Sequence, residues 1–203
     1  MTEEPLHVSV SRLFIKRVIN LLLALVLVII LLPLLILIAI ITKLSSKGSI
    51  IYQQERIGLQ GKPFTIYKFR SMHVDAEKNG PLLSDKNDLR ITVWGKFMRK
   101  FKIDELPQLL NIIKGNMNFV GPRPERKYFI NLIEAEGINY NNLLKLKPGL
   151  TSAGMVNYGY ASTIEQMIER MQFDIQYAEN NSALKDCKII LQTIAIVFTG
   201  KGK

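Results

Sequence analysis

The 203-residue sequence predicts an α+β protein: an apolar membrane segment at the N-terminus, then a mostly helical domain with a few short strands. Three observations carry this assignment. They are an uncharged run at residues 21–41, two alternating segments around Gly58 and Gly61, and helical periodicity through much of the remaining chain. The division falls between an N-terminal region 1–44 and a domain 45–203.

The apolar run LLLALVLVIILLPLLILIAII, Leu21 to Ile41, has 21 residues and no charge. As a straight helix at about 1.5 Å per residue it would extend roughly 30 Å, the thickness of a bilayer core. A secretory signal has a shorter apolar stretch, about 7–15 residues, followed by a small-residue cleavage site. Pro33 stands near the middle of the run, where it removes a backbone donor and crowds the preceding turn. Arg12, Lys16 and Arg17 precede the run, and Lys43 and Lys47 follow it, so charge asymmetry selects no orientation. Two topologies satisfy these facts: a span with a central proline, or a re-entrant segment that bends at Pro33 and returns to the same face.

After Ser45, GSIIYQQERIG and KPFTIYKFRSM read as two strands, with Ile51, Phe64, Ile66, Tyr67 and Phe69 as packing residues. DAEKNGPLLSDKNDLR reads as a surface loop. In TVWGKFMRKFKI, Trp94, Phe97, Met98 and Phe101 recur at helical spacing. Residues 90–103 hold five basic side chains and no acidic one, so this helix fits either a core-facing role or a membrane interface. A further helix is predicted from Asp104 or Glu105 to about Lys114, stopped by Gly115. KLKPGLTSAGMVNYGY reads as loop or short strands with turns at Pro148-Gly149 and Tyr158-Gly159. TIEQMIERMQFDIQYAEN and SALKDCKIILQTIAIVF read as helices, the second too short and too charged to span a bilayer.

Lys and Arg number 27 against 17 Asp and Glu, a net charge of +10, which favours an anionic partner such as lipid or a phosphorylated substrate. A single cysteine, Cys187, excludes an internal disulfide. His7 and His73 are the only histidines, and neither a zinc-ligand spacing nor a serine triad motif accompanies them. GLQGK lacks P-loop spacing, and no base-reading motif is present, so nucleic acid is not an expected partner. The informative stretch is DELPQLLNIIKGNMNFVGPRPE, residues 104–125. Asp104 can cap the predicted helix, and Pro107 falls in its first turn. A carboxylate there feels the positive end of the helix dipole, which favours its ionised form. Arg99 lies five residues before Asp104 and Arg123 nineteen after it, between two prolines that restrict the backbone. Guanidinium groups bind phosphate oxygens, and carboxylates beside phosphates can hold Mg²⁺. Together these residues suggest a diphosphate site at a membrane surface.

From about Phe14 to Phe198 the chain resembles the bacterial sugar transferases known as small monotopic phosphoglycosyl transferases. The resemblance runs through KRVIN, YKFRSM, GKFMRKFKIDELPQLLNIIKGNMNFVGPRPE, KPGLTSAGMVN and FDIQYAEN. It implies a re-entrant helix-break-helix membrane segment broken at Pro33. A cytosolic catalytic domain with interfacial amphipathic helices follows, seated at the cytoplasmic face of a bacterial inner membrane. It implies transfer of a phospho-sugar from a nucleotide diphosphate sugar, with a UDP-sugar as the expected donor, to polyprenol phosphate. That step, initiating surface glycan synthesis, passes through a covalent aspartyl intermediate. Asp104 matches the catalytic aspartate and Glu105 completes the dyad. Arg99 and Arg123 match phosphate-contacting positions, and Lys68, Arg70 and Pro122 join them as candidate substrate-binding residues. Mg²⁺ is the implied cofactor, with Asp104 as its ligand, and the bilayer is a partner through Pro33, Trp94, Phe97 and Phe101. The sequence departs from the family pattern at Asn20, where an acid is usual, at Asn116 and Asn118, and across Ser152–Tyr160. The competing reading is a non-catalytic, membrane-anchored basic scaffold, which would have no need of the Asp-Glu, Arg and Pro-Arg-Pro constellation.

Overall fold

A computed structural model describes residues 10–78, 80–85, 88–200 and 202; His7 lies outside them. Helix α1, Val10–Ser45, is a single element of 36 residues with Pro33 inside it. Helical structure therefore runs through the proline, where the sequence predicts a break. Pro33 is exposed, and the turns on either side are held by packing on the opposite face of the helix. That face is a stripe at three- and four-residue spacing: Asn20, Ala24, Ile38 and Thr42 are buried, and Leu27, Val28, Leu35 and Ala39 pack against the core between them. The outward face stays apolar and uncovered, with Ile29 71% and Ile30 65% exposed.

Both ends of α1 are bonded to the rest of the protein. Near its start, Lys16 pairs with Asp186 at 2.7 Å, and Arg17 donates to the carbonyls of Ile112 and Ile113 at 2.5 and 2.7 Å. Asn20 accepts the Phe119 amide at 2.7 Å, a role that needs only an oxygen at this position. Near its end, the Trp94 indole donates to Thr42 Oγ1 at 3.1 Å, and Arg70 donates to the carbonyls of Thr42 and Ser46.

Strands β1, Ile51–Ile57, and β2, Pro63–Phe69, form the predicted antiparallel pair, in register from Ile51 opposite Phe69 to Ile57 opposite Pro63. Of the expected packing residues, Ile66 and Phe69 are buried under α1. Helix α2, Val93–Lys100, starts where the Thr92 hydroxyl accepts the Gly95 amide. Its apolar residues divide. Met98 is fully buried with Ile38 and Phe69, whereas Trp94, Phe97 and Phe101 form an aromatic ladder with ring centroids 5.2 and 5.1 Å apart.

A 3₁₀ turn, Ile103–Gln108, leads into α3, Leu109–Lys114, which ends as predicted at Gly115 with φ 85°. Strand β3, Asn118–Val120, pairs in parallel with β4, Gly149–Thr151. Gly149 thus begins a strand rather than completing the expected turn. A Cβ on Gly149 would stand 2.2 Å from the Gly121 amide nitrogen, so the two chains approach as only glycine allows. Helices α4, Lys127–Ala135, and α5, Asn141–Leu144, pack with α7, Ile164–Glu179, in one core cluster that includes Ile57 and Met167. Short α6, Ala153–Asn157, and α8, Ala183–Thr199, cover β3 and β4 through Val120, Ala153, Tyr177 and Ile189.

Asn111 joins the 3₁₀ turn and α3 to β2. It is fully buried, accepts the Tyr67 amide at 3.1 Å and donates to the Thr65 carbonyl at 2.6 Å. Asn111→Leu leaves both backbone groups buried and unpaired, so it should cost about 3 kcal/mol of stability, measurable by denaturant unfolding in detergent.

Candidate active site

Asp104 and Glu105 occupy the first turn of the 3₁₀ element, each only 5% exposed. The residue that precedes the element is Lys102, in a left-handed conformation with φ 53°, and not Asp104 as the capping pattern suggests. The 3₁₀ pattern is set by bonds to the third residue back, from the Glu105 amide to the Lys102 carbonyl and from the Leu109 amide to the Leu106 carbonyl, while Pro107 has no amide to donate.

The two carboxylates have opposite surroundings. Glu105 accepts from Lys68 at 2.7 Å and lies 3.9 Å from Arg123. Burial pushes its carboxyl up, but Lys68, Lys102 and Arg123 outweigh that and hold it well below the ordinary range. Asp104 is pushed up by burial and by the charge of Glu105, while Lys68, Arg99 and Lys102 pull it back. The net effect holds the Asp104 carboxyl above its ordinary range, and the surrounding cations, rather than the dipole of a long helix, are what oppose that rise. No hydrogen bond or ion pair engages the Asp104 carboxylate among the described residues, although it lines a deep cleft.

That cleft holds about 370 Å³ and is bordered by β2, α2, the loop before α2, the 3₁₀ turn and the Pro-Arg-Pro segment. Arg56, Lys68, Arg99, Arg123, Arg126 and Arg170 line it, opposed by Glu77, Asp104, Glu105 and Glu125. Arg99 donates to Ser71 Oγ and Ser84 Oγ at 2.9 Å each. Leu82, Leu83 and Ser84, from the 75–90 stretch that reads as a surface loop, therefore form a wall of the cleft. Arg123 is presented by a backbone fixed on both sides. Its amide donates to Asp174 at 3.2 Å, and the carbonyl of buried Pro122 accepts the Gly149 amide at 3.0 Å. Arg70 lines the same cleft, but its guanidinium is bonded to Ser46, Thr42 and the Ser49 carbonyl. It clamps the end of α1 to β2.

Glu125, Arg56, Arg170, Asp174 and Tyr160 escape sequence reasoning. Glu125 accepts from Arg170 at 2.6 Å and from Arg56 at 3.2 Å. Its partners lie 45 and 69 residues away, and the only local signal is its place in GPRPE. His73, which the sequence sets aside, lines the cleft as well.

Residues 11–200 match the family described as Bacterial sugar transferase. The chain belongs to the bacterial sugar transferase family. It is 36% identical over 189 residues to the UDP-N-acetylgalactosamine-undecaprenyl-phosphate N-acetylgalactosaminephosphotransferase of Aeromonas hydrophila, covering 93% of this chain and 45% of that one. It is 37% identical over 199 residues to the UDP-glucose:undecaprenyl-phosphate glucose-1-phosphate transferase of Escherichia coli (strain K12), covering 95% and 42%. An uncharacterised sugar transferase of Bacillus subtilis (strain 168) is 34% identical over 190 residues, covering 94% and 90%. The chain thus spans less than half the length of the first two relatives.

For this bacterial sugar transferase, the residues that can hold a metal are few. Among the described residues no three His, Cys, Asp or Glu converge on one point. Asp104, with its unengaged carboxylate, fits a cation such as Mg²⁺, which takes one or two protein carboxylates and completes its shell with substrate phosphates and water. Lys68→Met should cost about 3–5 kcal/mol by leaving Glu105 buried without its nearest cation. Lys68→Met combined with Glu105→Gln should recover much of that loss in a double-mutant cycle of unfolding free energies.

Proposed function

We propose that this protein transfers a phospho-sugar from a nucleotide diphosphate sugar to polyprenol phosphate, in two steps, with Asp104 as the nucleophile. The observation that carries the reading is the contrast within the dyad: Glu105 is bonded to Lys68, while Asp104 faces a cation-lined cleft with its carboxylate unengaged. An Asp104 oxygen attacks the β-phosphorus of the donor, the bond to the leaving nucleoside monophosphate breaks, and an aspartyl phospho-sugar remains. A phosphate oxygen of polyprenol phosphate then attacks that phosphorus and expels the Asp104 carboxylate, leaving polyprenyl diphosphate sugar. Neither step consumes a proton or an oxidant. The division lets the soluble product leave before the lipid engages.

Arg99 and Arg123 contact donor phosphate, and Lys68 keeps Glu105 ionised and in place. Mg²⁺ held by Asp104 and the donor phosphates supplies further charge neutralisation when bound. Without such compensation an anion would attack an anion. A UDP-sugar is the expected donor, in keeping with the UDP-sugar transferases of Aeromonas and Escherichia that the chain resembles.

The membrane arrangement belongs to the same reading. Both ends of α1 bond to one domain, and both carry basic flanks, so α1 enters the lipid with its outward apolar face and does not cross. The domain then sits on the cytoplasmic face, with Phe97 and Phe101 beside the end of α1 at the interface.

Asp104→Asn should abolish nucleoside monophosphate release while leaving the thermal midpoint nearly unchanged. After incubation with donor alone, mass spectrometry should find the phospho-sugar mass on the peptide carrying Asp104. Near wild-type turnover by Asp104→Asn would end the covalent mechanism. For topology, Ser9→Cys and Lys47→Cys, each in a Cys187→Ser background, should both resist an impermeant thiol reagent in intact cells. Labelling of Ser9→Cys alone would establish a span.

A further inference from the structure

Arg123 is in an unusual position for a buried arginine. Its two carboxylate neighbours, Glu105 and Glu125, stand at 3.9 and 3.8 Å, beyond hydrogen-bond distance. Each has a nearer cation: Lys68 for Glu105 at 2.7 Å, and Arg170 for Glu125 at 2.6 Å. The guanidinium packs instead over the ring of Tyr160, 5.7 Å from its centroid, and the Lys102 ammonium lies 5.2 Å from the same centroid. Tyr160 lines the cleft beside Asp104 and Arg123.

The backbone is shaped to place this ring. Gly159 has φ 98°, a left-handed conformation that side chains adopt with strain, and its amide donates to the Gly154 carbonyl. Two residues beyond the ring, the Ser162 amide donates to Gln166 Oε1 at 2.8 Å, fastening the segment to α7. Lys102 reaches the ring from a left-handed, non-glycine position. Burial, then the charge of Glu105, pushes the phenol far above its ordinary range against the opposing pull of Arg123, so the ring stays neutral.

We infer that Tyr160 is a positioning residue for the donor diphosphate: its ring holds the Arg123 guanidinium away from Glu105 and Glu125 and keeps its N–H groups available to phosphate oxygens. This rests on the phospho-transfer reading above and adds to it a residue outside the Asp-Glu and Pro-Arg-Pro motifs. A ring face attracts a guanidinium without using its donors, whereas a carboxylate would occupy them. With the ring removed, Arg123 can close onto either carboxylate within 4 Å.

The test compares Tyr160→Phe and Tyr160→Leu with wild type, using UDP in the presence of Mg²⁺ as the titrated probe and nucleoside monophosphate release as the kinetic readout. Tyr160→Phe should bind UDP within about twofold of wild type. Tyr160→Leu should bind it roughly 3- to 30-fold more weakly, with a matching rise in donor KM, a smaller change in kcat and an unchanged thermal midpoint. In an Arg123→Gln background, Tyr160→Leu should add no further loss of UDP affinity, because its effect passes through the arginine. The inference is overturned if Tyr160→Leu binds UDP as wild type does, if Tyr160→Phe is as impaired as Tyr160→Leu, or if the leucine effect persists in full without Arg123. Failure of the wild type to release nucleoside monophosphate from any nucleotide sugar would instead overturn the proposed reaction, while the pattern of UDP affinities would still decide the role of Tyr160.

Discussion

The Lys68–Glu105 ion pair joins β2 to the 3₁₀ turn at 2.7 Å, with both side chains largely withdrawn from water. Burial depresses the lysine, and the nearby acids oppose that effect. Neither charge is comfortable alone, because a buried ion without its partner carries a desolvation penalty of several kcal/mol. The pair therefore fixes the relative position of strand and turn. With Glu105 so occupied, Asp104 is left to face the cleft, and Arg123 is left near a carboxylate that already has a closer cation. Asn111 secures the same junction with neutral hydrogen bonds to the β2 backbone, six residues further along. Charge and backbone pairing thus hold one short segment from two sides.

Much of this was legible in the sequence where the signal is local. The hairpin follows from alternation and two glycines. Helix α2 follows from aromatic spacing, and the end of α3 from Gly115. Asp104, Glu105, Arg99, Arg123 and Lys68 all line the cleft they were expected to form. What escaped depends on partners distant in sequence. β3 is only three residues long and is defined by a parallel partner about thirty residues later. Glu125 reads as the end of a proline-rich loop until Arg56 and Arg170 meet it. The 3₁₀ geometry of the Asp-Glu turn was obscured because Pro107 suits the first turn of an α-helix equally well by composition.

The aromatic residues of α2 show how one periodic pattern serves two surfaces. Met98 faces inward under α1, and Trp94 donates its indole N–H to Thr42, so this part of the apolar face is a joint between helices. Phe97 remains about half exposed and stacks on Trp94, extending the joint toward solvent. Arg70 is the polar counterpart of that joint. Its guanidinium collects the carbonyls at the end of α1, where a helix leaves its last acceptors unpaired.

The inner stripe of α1 has a consequence for how the chain is assembled. Ala24 and Ile38 sit at the centres of two core clusters that also contain Ile66, Leu109, Ile112, Phe69 and Met98. Helix α1 therefore contributes to the hydrophobic core beneath the Asp-Glu turn and is not a tether to a finished domain. Because α1 precedes β2, α2 and α3 in the chain, it leaves the ribosome before them, and those elements condense onto a helix already made. Cutting the chain between residues 44 and 45 removes the surface on which the rest folds. Helix α1 thus acts as a template for the folding of the segments that follow it.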